Sequence, residues 1–234
     1  MNTNAQFRAV IFDVDGTLFD TLPSLSAAAN SVLALVKLQE IPASILRKAL
    51  NHGLEHMFRE AIALQTPEVG PTLATELENE FLQEYRHRWL TQAPLYAHLN
   101  VALVCLRDMG LKLGICTNRD RSSTEVLLAQ SCIDDYFEVI VGMGDAPHPK
   151  PAPDPILIAL DHLGVAAHEV LFVGDSAVDA LCARQAQVGF SAHLAGYCEQ
   201  AGDLLPNVFS FNNYAEFTRR MFGENSSTSA VCHA

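Results

Sequence analysis

The chain is expected to fold as an α/β protein, a doubly wound parallel-sheet (Rossmann-like) core carrying an inserted helical cap domain. Three observations predict this. Short apolar runs recur, RAVIFDV, LKLGICT, FEVIVGM, EVLFVGD and VGFSAHL, and most follow a stretch with helical periodicity. Strands that alternate with helices imply βαβ units and a parallel sheet. Between about Leu18 and Gln92 the pattern becomes helical throughout, with no strand signal.

The first run ends in FDVDGTLFDT, Phe12 to Thr21, where three aspartates fall within ten residues. A carboxylate at the end of a buried strand is costly to desolvate unless a cation, a proton or hydrogen-bond donors compensate it. Residues two apart in an extended chain point to the same side, so Asp13 and Asp15 are able to converge on one small site, and Gly16 lets the backbone turn there. A strand-ending turn is the plain alternative, since Asp, Gly and Thr are ordinary turn formers.

Next come three helical stretches, LSAAANSVLALVKL, ASILRKALNHGLEHMFREAIAL and LATELENEFLQEYRHRWL. They follow the first strand directly and are expected to lie above its acidic end as a cap. TQAPLYAHLN reads as the return hinge. The helical patterns NVALVCLRDMG, STEVLLAQ and DPILIALDHLG then separate the remaining apolar runs, and the Pro-rich GDAPHPKPAPDP leaves no room for helix until its end. Ligands of doubly wound sheets bind beyond the carboxyl ends of the strands, which places Asp13, Thr117 and Asp175 along one edge. The expected division is a core of residues 1–18 and 93–222, a cap of 19–92, and a tail, 223–234, expected to be disordered.

A net charge of -12 and the absence of any Lys/Arg run with interleaved aromatics argue against nucleic-acid binding. No apolar run approaches the roughly 18 residues of a membrane span, and MNTNAQFRAV lacks the features of a signal peptide, so a cytoplasmic location without membrane contact is expected. Six cysteines without a CxxC pair suggest neither a disulfide framework nor a zinc cluster. The residues carry no signal for an oligomeric state.

Four pieces stand in order: DVDGT at 13–17, CTN at 116–118, PKPAPDP at 149–155 and GDSAVD at 174–179. Together they resemble the four motifs of the haloacid dehalogenase superfamily. The stretches DTLPSLSAAAN, LNHGLEHMFREAI and KPAPDPILIAL are further similar to the phosphoglycolate phosphatase group. The chain departs from that group in lacking a Pro-Gly step before the second core strand and in carrying Arg119 where the group has Lys.

The resemblance implies a Mg²⁺-dependent phosphomonoester hydrolase working through an aspartyl-phosphate, with 2-phosphoglycolate as the leading substrate. It assigns Asp13 as nucleophile and Asp15 as general acid and base. Asp13, Asp175 and the backbone carbonyl of Asp15 would bind Mg²⁺, which favours hard oxygen ligands. Asp179 would orient the surroundings of Asp175 or accept from a metal-bound water, or else serve as an N-terminal helix acid favoured by the dipole. Thr117 and Asn118 would donate to the phosphoryl oxygens and Lys150 would neutralise charge developing on them.

Asn51 and His52 are candidate cap contacts to substrate, with Arg47, Lys48 and Arg59 on the same ground, although most such charges only solvate a helix face. His52 and His56 stand at helical i, i+4 spacing but have no evident third metal ligand.

Asp15 argues against a dehalogenase or a phosphonate hydrolase, which lack that second carboxylate. Leu25, where a phosphomutase of this cap type has His, argues for hydrolysis over mutase chemistry. Another small organic phosphate, such as a sugar phosphate, is the alternative substrate, and a noncatalytic binding protein is the alternative from another class.

Overall fold

The computed structural model describes residues 7–50, 54–65, 68–198 and 200–223. Asn51, His52 and the expected tail after Gly223 lie outside them. The chain forms two compact units, one made of residues up to Phe19 and from Leu95 onward, the other of Asp20–Pro94. After β1 (Ala9–Phe12), the second unit consists of α1 (Leu22–Leu35), α2 (Ala43–Leu50), α3 (Leu54–Ala63) and α4 (Pro71–Gln92). The long middle stretch, expected as one helical segment, is thus divided between α2 and α3.

Aromatic packing and amide clamps hold the helical unit. Phe58 and Phe81, both fully buried, stack with ring centroids 4.4 Å apart. The Gln65 amide exchanges two hydrogen bonds with the Gln39 backbone, and the Asn30 amide does the same with Ile41. These side chains supply the partners that a non-helical connection lacks. Arg59, a candidate substrate contact by sequence, makes a bidentate pair with Glu78. No described helix is long and apolar enough to cross a membrane.

The remaining elements are α5 (Leu99–Asp108), β2 (Lys112–Asp120), α6 (Arg121–Gln130), β3 (Val139–Met143), α7 (Asp154–Leu163), β4 (Val170–Gly174), α8 (Ala177–Ala186), β5 (Gly189–His193), β6 (Phe209–Phe211) and α9 (Tyr214–Phe222). They build a six-stranded sheet of order β3-β2-β1-β4-β5-β6 with every pairing parallel. The α/β fold class expected from alternating apolar and helical stretches is the one observed. Two elements were not anticipated, β6 and α9.

β1 lies in the middle of the sheet, and all four of its residues are fully buried. Their alternation feeds two cores. Ala9 and Ile11 join Phe172, Ile156, Ala159 and Ala183 beneath α7 and α8. Phe12 packs instead within 6.5 Å of the rings of Tyr214 and Phe217 on α9. Because the chain winds outward from β1 to β3 and then returns to β4, the connection order reverses between β1 and β4. Their carboxyl ends flank the crevice where such sheets bind ligands.

Candidate active site

β1 stops at Phe12 and β4 at Gly174, so Asp13 and Asp175 emerge side by side at the reversal. The two strands are in register there, Phe12 opposite Val173, and the Asp13 N–H donates to the Val173 carbonyl at 2.9 Å. β2 extends further than expected. It runs on to Asp120 with a register shift between Cys116 and Asp120, so Thr117, Asn118 and Arg119 arch across its end instead of following it.

Lys150 reaches in from the Pro-rich loop after β3. Its ammonium, 5% exposed as a residue, lies 2.8 Å from Asp13 Oδ1 and 2.6 Å from Asp179 Oδ1. The Asn118 side chain holds that loop in place. Its Oδ1 accepts from the Lys150 N–H at 3.0 Å and its Nδ2 donates to the Lys150 carbonyl at 2.9 Å. Thr117 is buried beside it, and its Oγ1 accepts from the Arg119 N–H.

Asp175 and Asp179 occupy different settings despite being one helical turn apart. Asp175 receives the Thr17 hydroxyl on Oδ1 and the Tyr197 N–H on Oδ2, both at 2.7 Å. Asp179 Oδ2 accepts from the Asp175 and Ser176 N–H groups and from the Ser176 hydroxyl, a capping box that starts α8, while Oδ1 takes Lys150. Asp179 thus starts α8 while also holding the Asp175 backbone and Lys150.

The electrostatics show a shortage of positive charge. Asp13, Asp175 and Asp179 each bring an oxygen within 4.8 Å of the others, against the single ammonium of Lys150. Burial pushes the Asp13 carboxyl up to about 7 despite the opposing pull of Lys150. Burial, then the charges of Asp179 and Asp13, push Asp175 well above the usual carboxylate range. Burial also works against the Lys150 ammonium, but Asp13 and Asp179 outweigh it and hold Lys150 well above its ordinary range. A divalent cation fits this imbalance and these hard oxygen donors. Asp13, Asp175 and Asp179 each offer an oxygen to such a cluster, and Asp179 already takes Lys150 on Oδ1 and the helix-cap donors on Oδ2.

The turn that builds this pocket tolerates no side chain at two glycines. Gly16 has a φ of +79°, and a Cβ there would sit 2.3 Å from Asp175 Oδ2. At Gly196 a Cβ would meet Asp175 Cβ at 2.2 Å and the Gly16 carbonyl at 2.5 Å. Gly16→Ala is expected to combine backbone strain of about 1–3 kcal/mol with displacement of Asp175. Divalent-cation affinity, measured by calorimetric titration, should fall by about ten-fold or more.

Sequence reasoning missed His193, which ends β5 and is fully buried. Its Nδ1–H donates to the Gly16 carbonyl at 2.8 Å, and its ring stacks on Phe211. Burial lowers its pKa to about 4, so the ring is neutral and supports the turn without adding charge. Cys116 is a free, buried cysteine, and its hydrogen bond with the Cys182 thiol, then burial, push its own thiol well above the usual value.

Comparison with known proteins agrees with this geometry. Residues 10–193 match the family model described as haloacid dehalogenase-like hydrolase. A phosphoglycolate phosphatase of Xanthomonas campestris pv. campestris is 35% identical over 190 residues, covering 81% of this chain and 84% of the relative. One from Nitrosococcus oceani is 30% identical over 193 residues, covering 82% and 86%. Among solved structures, a predicted phosphoglycolate phosphatase from Haemophilus somnus superposes with a TM-score of 0.82 at 25% identity, covering 92% of this chain and 97% of that one.

Proposed function

The chain belongs to the haloacid dehalogenase-like hydrolases, and from that premise we propose that it is a Mg²⁺-dependent phosphomonoester hydrolase whose leading substrate is 2-phosphoglycolate. The observation that carries the reading is the buried Asp13–Lys150 pair set beside Asp175 at the sheet's reversal point. Lys150 opposes the burial that raises Asp13, and above about 7 the ionised carboxylate is a competent nucleophile there, while the substrate's phosphate supplies the anion that this ammonium and a cation would share.

Asp13 attacks phosphorus through a carboxylate oxygen, the P–O ester bond breaks, and Asp15 delivers a proton to the departing oxygen. Asp15 then takes a proton from water, whose oxygen attacks the same phosphorus; the P–O bond to Asp13 breaks, releasing inorganic phosphate and restoring the carboxylate. Thr117 and Lys150 stabilise the negative charge on the transferring group, and Asn118, whose side-chain amide grips the Lys150 backbone, keeps that ammonium in place. Asp13, Asp175 and the backbone carbonyl of Asp15 would hold Mg²⁺, which would neutralise charge on the phosphoryl oxygens. Leu25, 1% exposed in α1, offers no proton relay of the kind mutase chemistry needs.

The helical unit, residues 19–92, is proposed as the part that selects among substrates, with Asn51 and His52 as its candidate contacts. Phosphate release from 2-phosphoglycolate, hexose phosphates and nucleotides, with and without Mg²⁺, tests the reading. The highest kcat/KM is expected for 2-phosphoglycolate, with activity lost to a chelator and restored by Mg²⁺. Another preferred ester would replace the substrate while keeping the chemistry, and indifference to chelation would remove the metal.

A further inference from the structure

The Asp15 carboxylate stands apart from the cluster around Lys150 and is held by Arg119. Arg119 Nε donates to Oδ2 at 2.9 Å and Nη2 donates to Oδ1 at 2.5 Å, two parallel bonds from one guanidinium to one carboxylate. The exposures are unequal. The Arg119 side chain is 6% exposed and that of Asp15 is 30% exposed, so a buried cation presents a carboxylate toward the open side.

Arg119 is itself anchored from both sides in sequence. Its N–H donates to Thr117 Oγ1 at 3.2 Å, and the next residue, Asp120, caps α6 through the Ser123 N–H. The segment also lies so close on β3 that a Cβ at Gly142 would meet the Arg119 carbonyl at 2.9 Å. An exposed ion pair contributes little. A bidentate pair on a buried and anchored guanidinium fixes the plane of the carboxylate as well as its place.

We propose that Arg119 is a positioning residue that aims Asp15 at the leaving oxygen and then at the attacking water. The inference rests on the hydrolase reading above. A lysine there would be a point charge and would leave the carboxylate free to rotate, so the guanidinium, not merely its charge, is the working feature.

The test compares Arg119→Met, Arg119→Lys, Asp15→Asn and the Asp15→Asn/Arg119→Met pair, using the best phosphomonoester of the panel. For Arg119→Met, kcat should fall about 100-fold with KM within about threefold, the signature of a misplaced group and not of lost substrate binding. Arg119→Lys, which retains the charge, should remain at least about ten-fold slow, and added guanidinium ion should restore part of the Arg119→Met rate. The double variant should be no slower than Asp15→Asn alone. Additive losses, or an effect confined to KM, would overturn the proposal.

A crystal structure of Arg119→Met or Arg119→Lys provides a readout that needs no turnover. A displaced Asp15 carboxylate supports the contact's positioning role; an unmoved one overturns it. A wild-type chain silent toward every phosphomonoester would instead overturn the hydrolase reading, while the crystal structures still decide whether Arg119 sets Asp15.

Discussion

Replacing Asp13 with asparagine is expected to reduce phosphate release by at least about 10⁴-fold while leaving the fold intact, because the amide cannot form the covalent intermediate. Asparagine keeps an oxygen for the Lys150 ammonium, which also retains Asp179 at 2.6 Å. The same variant makes a stability prediction of definite sign. Burial raises Asp13 from 3.8 to about 7, so between those values the folded chain holds a proton that the unfolded chain releases.

Wild-type stability from this group therefore falls as pH rises through that window and is lowest above it. In chelator, Asp13→Asn should be more stable than wild type at pH 8, by up to a few kcal/mol, with the advantage shrinking toward pH 5. Excess Mg²⁺ should reverse the order at pH 8, since the cation stabilises only the chain that retains its ligand. Urea unfolding of both proteins at the two pH values, with and without Mg²⁺, reads all of this. An unchanged gap across pH would mean that Asp13 is not the buried, proton-holding group described.

Lys150→Met is expected to affect both activity and stability. The ammonium is the shared partner of Asp13 and Asp179, and its loss leaves two buried carboxylates facing each other. Breaking a buried pair by removing one partner costs about 3–5 kcal/mol. Turnover should drop by about 10²–10³-fold, as when a donor to a developing anion is removed. Both are measured at pH 7.5 by urea unfolding and steady-state kinetics. A variant of near wild-type stability would show that the cluster draws its compensation from elsewhere.

The central strands and their acids were legible because the physics is local. A buried parallel strand must be apolar, and an acid at its end is conspicuous; hence RAVIFDV and EVLFVGD identified β1, β4, Asp13 and Asp175. β6 spans only Phe209–Phe211, too short for its alternation to register, and α9 begins three residues later. The partnerships were less visible. Asn118 was expected to face the phosphoryl group, yet both ends of its amide engage the Lys150 backbone, 32 residues away. Arg119 stood out only as a departure from a family pattern, and its grip on Asp15 depends on the register shift in β2 that no local propensity announces. His193 meets Gly16 across a separation of 177 residues.

Those separations also dictate a timetable. Asp13 is synthesised well before Asp175, which Thr17 contacts across 158 residues, and before the Tyr197 N–H, 22 residues further on, that completes the hydrogen bonding of Asp175. Until residues 170–174 have emerged, β1 lacks β4, one of the two neighbours it has in the finished sheet, and its terminal acid stays hydrated. The acidic pocket is therefore closed only when β4 docks beside a strand made long before it.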